Sequence, residues 1–276
     1  MLDELDPLQR DVLTVLHLEC SPSMSRTAWQ DAVRNAGVTD ARSRKLTGEQ
    51  FKAIIQRIES FGAATRTPNH EYVNARAWLV PTLEDAHRRG RLQEFSRSLE
   101  LANRYSHYTG ARRRLLTALA TGDGRAVETQ LDQYKYQTRF DAPGTSLVRL
   151  IGLAAPAAWI AILSPAPRLA YVTEALASAF VSALRVGRGV RDAALASESA
   201  ELHARVALLD ALAGDGAAAR AGLGGESAIA EISATPPGSR DARWTRAALG
   251  FLALTEALRR RARRVRGGRR RGAESV

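Results

Sequence analysis

The chain has 276 residues and a typical domain has about 150, so its length is sufficient for two domains that each bury a core. Hydrophobic residues make up 45% of the sequence and charged residues 25%, which excludes a disordered or fibrous chain by composition. Cys20 is the single cysteine, so a disulfide framework and a cysteine-based zinc site are also excluded. Residues 2–6 are acidic where a secretory signal would be basic and then apolar, so we expect a cytoplasmic location.

The formal net charge of +11 is concentrated towards the end of the sequence. Residues 1–90 contain 12 basic and 12 acidic residues, residues 91–240 contain 17 and 14, and residues 241–276 contain 11 and 3. Nine arginines lie between Arg259 and Arg271, in the string RRRARRVRGGRRR. We expect residues 259–276 to form a solvated, disordered tail, and the alternative is an arm that binds nucleic acid.

Two helices are predicted at the start of the sequence. Asp6 and Pro7 are typical of a helix N-cap and a first helical residue, and apolar residues follow at helical spacing to about Leu18. Ser25 is expected to cap a second, shorter helix, which Gly37 ends.

The third predicted helix has the clearest signals. Thr47 and Gln50 form a T-x-x-Q capping box, and Gly62 marks the end of the helix. Four apolar residues follow the helical spacing i, i+3, i+4 and i+7, and they form the stripe that should be buried: Phe51, Ile54, Ile55 and Ile58.

A β-hairpin pattern follows the third helix. Residues 63–67 and 71–79 flank a turn at Pro68, Asn69 and His70, and apolar and polar residues alternate along the second segment. Three helices followed by a two-stranded hairpin is the element order of a winged helix.

The segments DPLQRDVLTVL, SRTAWQDAVRNAG, LTGEQFKAIIQRIESFG and ATRTPNHEYVNARAW resemble the winged helix-turn-helix superfamily, over about residues 6–80. We therefore predict a winged-helix domain over residues 1–82. The resemblance implies that the third helix enters the major groove of double-stranded DNA. It also implies that the hairpin contacts the DNA backbone or the minor groove.

Local charge agrees with that orientation. Residues 1–20 carry five acidic residues and one basic residue, while residues 41–66 carry six basic and two acidic ones. The loop before the third helix is expected to contact phosphates, the exposed helix face to contact base edges, and the hairpin to add backbone contacts. In that order, the predicted DNA-binding residues are Arg44, Lys45 and Thr47, then Lys52, Gln56 and Arg57, then Arg66 and His70. The alternative is a module that contacts protein, because Glu49 lies on the same helix face and would repel phosphates.

Residues 83–258 are predicted to form an α-helical domain, which makes the fold class mainly α. The segments LLTALATGDGRAVETQL at 115–131 and LLDALAGDGAAARAGL at 208–223 each predict a helix, a Gly-Asp turn and a second helix. They resemble the helix pairs of tetratricopeptide-like solenoids, which implies a helical-repeat region and a protein partner. The alternative is chance similarity between helices rich in alanine and leucine.

An apolar run covers residues 150–163 and contains Pro156. It is shorter than the roughly 20 residues that a membrane-spanning helix needs, so it predicts one buried central helix and no membrane partner.

No nucleotide-binding, metal-binding or hydrolase motif is present, so we expect no cofactor, no metal and no catalytic residue. The sequence favours a non-enzymatic, bacterial-type DNA-binding regulatory protein. The alternative is an interaction scaffold, since the layout also resembles the N-terminal region of large bacterial SWI2/SNF2-type ATPases. The oligomeric state is not indicated by the sequence.

Overall fold

The computed structural model describes residues 2–20, 23–102, 107–137, 143–182, 186–223 and 244–253. The described chain is mainly helical, with one small sheet. It divides into two compact units, of which the first is Met1–Ala175 with Gly187–Gly189 and the second is Leu176–Val186 with Val190–Val276. The predicted boundary at residue 82 falls within the first unit and stays a prediction. The Arg-rich residues 259–276 lie outside the described residues.

The first part of the chain contains helices and a three-stranded antiparallel sheet whose strand order is β1-β3-β2. The elements follow one another as α1 (Pro7–Glu19), β1 (Met24–Ser25), α2 (Arg26–Asn35), α3 (Gly48–Ser60), β2 (Ala64–Arg66) and β3 (Glu71–Asn74). Short 3-10 turns at Leu2–Glu4 and Arg76–Trp78 precede and follow this group.

The predicted N-cap at Asp6 and the predicted capping box at Thr47 are confirmed, and Asp6 also forms a capping box with Gln9 that was not predicted. The Asp6 carboxylate accepts the Gln9 backbone N–H at 2.8 Å, and the Gln9 side chain accepts the Asp6 backbone N–H at 3.1 Å. At α3, Thr47 Oγ1 accepts the Gln50 backbone N–H at 3.2 Å while Gln50 Oε1 accepts the Thr47 backbone N–H at 2.9 Å. Each pair satisfies backbone donors that a helix N-terminus leaves without an intrahelical partner, so the start of each helix is fixed locally.

The predicted stripe of α3 is buried, and Trp29 of α2 packs against it. The Trp29 ring meets the Phe51 ring edge-on at 5.6 Å between centroids and the Tyr72 ring of β3 at 5.4 Å. Its indole N–H donates to the Val12 carbonyl of α1 at 3.2 Å. One tryptophan therefore contacts α1, α3 and the sheet.

The α1 helix is buried on all sides over its last two and a half turns. All residues from Asp11 to Glu19 are buried, polar ones included. The helix contacts α2 and α3 as well as α4, α5 and α6. Such burial around the whole circumference is typical of a helix at the centre of a core.

The hairpin is confirmed, but its second strand is shorter than predicted. Pairing between β2 and β3 runs from Arg66 and Tyr72 to Ala64 and Asn74. The prediction of strand up to Leu79 is wrong, because Arg76–Trp78 forms a 3-10 turn that buries Trp78 and leads into the next helix. The third strand, β1, was not predicted, since two residues are too short for an alternating pattern.

The remaining described chain is helical. Gly90, with a φ of +72°, separates two of its helices, and residues 196–199 separate two others. The helices are α4 (Leu79–Arg88), α5 (Arg91–Ala102), α6 (His107–Thr121), α7 (Gly124–Gln137), α8 (Pro143–Ile151), α9 (Ala157–Ile162), α10 (Pro165–Ser182), α11 (Arg188–Leu195), α12 (Ala200–Leu212), α13 (Gly216–Gly222) and α14 (residues 244–253).

The prediction of one central helix over residues 150–163 is wrong. α8 ends before Gly152, whose φ of +76° is left-handed, and Pro156 is the N-cap of α9. The Tyr171 hydroxyl donates to the Gly152 carbonyl at 2.8 Å and holds the break in place. No helix in the described parts of the chain combines the length and apolar character needed to cross a membrane.

The two Gly-Asp-Gly segments adopt the same local structure. Gly122 and Gly214 have left-handed φ values of +74° and +83° and end α6 and α12. Asp123 then accepts the Ala126 N–H at 2.9 Å, and Asp215 accepts the Ala218 N–H at 3.0 Å, so each aspartate caps the following helix. The predicted helix–turn–helix pairs are confirmed, and their likeness to tetratricopeptide repeats stays a prediction.

Candidate nucleic-acid interface

The loop before α3 is organised by Asp40, which the sequence reading missed. One carboxylate oxygen accepts the backbone N–H groups of Arg42 and Arg44 at 2.9 Å each. The other accepts the Arg44 guanidinium through Nε at 3.1 Å and through a terminal nitrogen at 2.9 Å. The backbone hydrogen bond from Arg44, followed by that residue's side chain and Arg42, lowers the pKa of Asp40 to about 2. An aspartate whose carboxylate accepts the backbone N–H two residues later is a common turn signal. The residues around Asp40 are therefore sufficient to predict this role.

Asp40 changes the role available to Arg44. The Arg44 side chain is 62% exposed but ion-paired, so a phosphate would have to compete with the Asp40 carboxylate for it. Lys45 is exposed and pairs through its backbone with Thr39 in an isolated bridge. The Thr47 hydroxyl caps α3. Because Arg44 is paired with Asp40, Lys45 is the more available of the two cations predicted to bind phosphate.

The outer face of α3 exposes the three residues predicted to read base edges. Lys52 and Gln56 lie one turn apart, and Arg57 follows them, with its guanidinium 4.3 Å from the centroid of the Phe61 ring. Glu49 is also exposed and lies at the centre of this face, opposite the buried stripe. The face is therefore mixed in charge, with cations on both sides of a carboxylate.

The hairpin exposes the last two predicted residues, Arg66 and His70. Its turn is closed by the His70 N–H donating to the Thr67 carbonyl at 2.9 Å and the Thr67 N–H donating to the Glu71 carbonyl at 2.8 Å. His70 has a φ of +63°, in the left-handed region that residues other than glycine rarely adopt. The turn is thus a defined structure that presents Arg66 and His70 to solvent.

The two acidic residues of α1, Asp11 and Glu19, are buried and ion-paired, so they contribute little to an exposed negative surface. Asp11 pairs with Arg89 at 2.6 Å and with Arg91 at 3.5 Å. Glu19 pairs with Arg113, and the two side chains are 4% and 1% exposed. The charge polarity expected from the sequence is therefore smaller in the folded chain, because arginines after residue 82 pair with two of the five acidic residues of segment 1–20.

The end of α1 is held by a further arginine that sequence reading missed. Arg112 donates to the backbone carbonyls of His17 at 2.8 Å and of Leu18 at 3.0 Å. These carbonyls lie in the last turn of α1, where the helix dipole favours a cation. Arg112 therefore satisfies carbonyls at the end of α1 that lie about 95 positions earlier in the sequence. No local sequence pattern predicts such a contact.

Signs of metal or thiol chemistry are not found in the described ranges. No group of three or more His, Cys, Asp or Glu residues is placed there to hold a metal ion. Cys20 is buried, its thiol donates to the Tyr72 carbonyl at 3.5 Å, and burial raises the pKa of the thiol. A raised pKa disfavours the reactive thiolate, which agrees with a structural cysteine.

Comparison of this chain with protein-family models, with curated proteins and with solved structures finds no match. Its function therefore has to be inferred from its own residues.

Proposed function

We propose that the chain is a non-enzymatic, cytoplasmic DNA-binding regulatory protein whose residues 6–80 form a winged helix. The observation that carries the proposal is the element order α1-β1-α2-α3-β2-β3 with strand order β1-β3-β2. In that arrangement α3 is the recognition helix and the β2–β3 hairpin is the wing. The exposed polar side chains of α3 and the hairpin support it.

The proposed docking divides the contacts between phosphates and bases. Lys45 and the free backbone N–H groups at the start of α3 bind phosphates, because a helix N-terminus favours anions. Lys52, Gln56 and Arg57 face base edges in the major groove, where an amide suits adenine and a guanidinium suits guanine. Arg66 and His70 follow the backbone on the wing.

The helical region after the hairpin is proposed to bind a protein partner. The pairs α6–α7 and α12–α13 support this idea, since each is a helix hairpin closed by a left-handed glycine and a capping aspartate. Repeated helix pairs of this kind present concave surfaces to partners in solenoid proteins.

A salt-dependent titration tests the DNA contact. We expect Lys45→Ala with Arg57→Ala to weaken duplex binding and to lower the slope of log affinity against log salt by about 0.9 for each lost phosphate contact. Because Lys45 is the member of the pair proposed to contact a phosphate, the slope should fall by about 0.9, so the parent should lose roughly 3.5-fold more affinity than the variant between about 50 and 200 mM salt. Fluorescence anisotropy of a labelled duplex measures both quantities.

The matched control is Arg97→Ala with Arg125→Ala, which removes the same charge from exposed positions on α5 and α7. The titration is repeated with a chain ending at residue 258, so that DNA binding by the Arg-rich residues 259–276 does not contribute to the measured affinity. If both double variants change affinity and slope equally, general charge explains binding and the winged-helix interface is refuted.

The second candidate function is an interaction scaffold, or the regulatory N-terminal region of a larger SWI2/SNF2-type ATPase. Glu49 favours it, because a carboxylate at the centre of the α3 face repels DNA but suits a protein surface. Glu49→Gln distinguishes the two. Tighter duplex binding supports the DNA interface, whereas unchanged duplex binding with weaker capture of a protein partner supports the scaffold.

A further inference from the structure

The second unit contains a pocket of about 430 Å³ between α10 and α12. This volume lies within the roughly 300–1,000 Å³ that is typical of small-molecule sites, and protein cores otherwise leave few voids larger than a water molecule. The walls are mostly apolar, formed by Leu176, Ala179 and Phe180 on α10 and by Val206, Leu209 and Leu212 on α12. Leu212 is 50% exposed, which is unusual for leucine in the described chain.

One ion pair interrupts the apolar lining. Arg191 of α11 reaches both carboxylate oxygens of Asp210 on α12, one of them at 2.7 Å. The Asp210 side chain is 10% exposed and the Arg191 side chain 36% exposed, so the guanidinium is the more open member of the pair. Two of its five N–H donors are directed at Asp210, which leaves the others for a ligand acceptor.

The charges around the pocket disfavour an anionic ligand. Arg191 and Asp210 cancel, and the carboxylate of Asp215 at the start of α13 adds a negative charge that acts on Asp210. Burial, with a smaller contribution from Asp215, raises the pKa of Asp210, as expected for a carboxylate in a poorly hydrated wall. An uncharged molecule avoids repulsion by these carboxylates and avoids breaking the pair.

We propose that this pocket binds an uncharged, largely apolar small molecule whose single polar end carries a hydrogen-bond acceptor and a donor, as an amide does. The acceptor receives an N–H from Arg191 and the donor is directed at Asp210, while the apolar body lies between Phe180, Val206 and Leu209. This site is separate from the proposed DNA interface, and its test does not depend on DNA binding.

Two dyes with the same ring system test the proposal on the full chain. N-phenyl-1-naphthylamine is uncharged and has an N–H donor, and 1-anilinonaphthalene-8-sulfonate adds a sulfonate to the same skeleton. Both fluoresce strongly only in apolar surroundings. We expect saturable binding of the uncharged dye at one site per chain and at least tenfold weaker binding of the sulfonate.

Two variants connect that binding to the pocket. Ala179→Phe fills the pocket from α10 and should weaken binding of the uncharged dye at least tenfold, while Leu101→Ala, at an exposed leucine on α5, should leave it unchanged. Asp210→Asn leaves the Arg191 charge without its carboxylate, so it should favour the sulfonate and reverse the preference.

Several outcomes would overturn the proposal. The first is a parent chain that binds neither dye saturably, and the second is equal binding of both dyes that Asp210→Asn does not alter. If Ala179→Phe does not fold, Ala213→Phe covers the pocket from an exposed position and provides the same measurement. Unchanged dye affinity in that folded variant would show that the dye binds elsewhere and would refute the site.

Discussion

His17 should make the stability of the first unit depend on pH. The imidazole lies on α1 with no exposed surface, and neither ring nitrogen has a hydrogen-bond partner among the described residues. Burial, assisted by the positive charge of Arg112, lowers the pKa of His17 from 6.5 to about 3. The folded chain therefore keeps this imidazole neutral at pH values where the unfolded chain protonates it.

The size of the effect follows from proton linkage. Below pH 6.5 the unfolded state binds a proton that the folded state rejects until about pH 3, so stability is lost as the pH falls through this interval. The loss approaches about 1.4 kcal/mol per pH unit, and it amounts to about 2 kcal/mol between pH 7.5 and 5. His17→Leu removes the titration and the two buried nitrogens, so this share of the pH dependence should disappear.

Urea unfolding at pH 7.5 and 5, followed by tryptophan fluorescence, measures the difference. A Trp244→Phe background restricts the signal to Trp29, Trp78 and Trp159, which all lie in the first unit. His87→Leu removes an exposed imidazole from α4 as a control and should behave like the parent. If the parent and His17→Leu lose the same stability between the two pH values, within about 0.5 kcal/mol, then His17 is not the buried neutral group described above.

Two further predictions concern the buried ion pair and the left-handed glycines. Glu19→Leu leaves the Arg113 guanidinium buried without that carboxylate and should cost about 3–5 kcal/mol in urea unfolding, whereas Glu19→Leu with Arg113→Met should cost less than the single change. An equal or larger loss in the double variant would contradict this reasoning. Gly122→Ala places a side chain at a φ of +74° and should cost about 1 kcal/mol by thermal unfolding. Gly48→Ala, in the first turn of α3, should be neutral or stabilising, and a similar loss in both variants would rule out backbone strain as the cause.

The elements that could be predicted are those specified by neighbouring residues. The N-cap at Asp6, the capping box at Thr47, the stripe of α3 and the two Gly-Asp turns all depend on residues within one or two helical turns. The broken helix at Gly152 was missed because an unbroken apolar run hides a glycine that adopts a left-handed φ. The β1 strand was missed because its pairing with β3 is set by residues almost fifty positions away.

The candidate interface was predictable only in part. The exposed positions of Lys52, Gln56 and Arg57 follow from the helical period, once the buried stripe is known. Counting charges alone predicts a free cation at Arg44, because the count does not include the ion pair that Asp40 forms with it. The pairing of Glu19 with Arg113 spans 94 positions, so only the folded chain reveals that part of the acidic charge is internal.

The burial of α1 on all sides has a consequence for how this protein could have been assembled or recombined. The helix contacts α2 and α3, which precede residue 82, and also α5 and α6, which follow it. A gene fragment ending at residue 82 would encode this helix without α5 and α6 and without the arginines that pair with Asp11 and Glu19. Natural fusions and laboratory chimeras that transplant the N-terminal segment should therefore keep the sequence through α6 in order to yield a folded product.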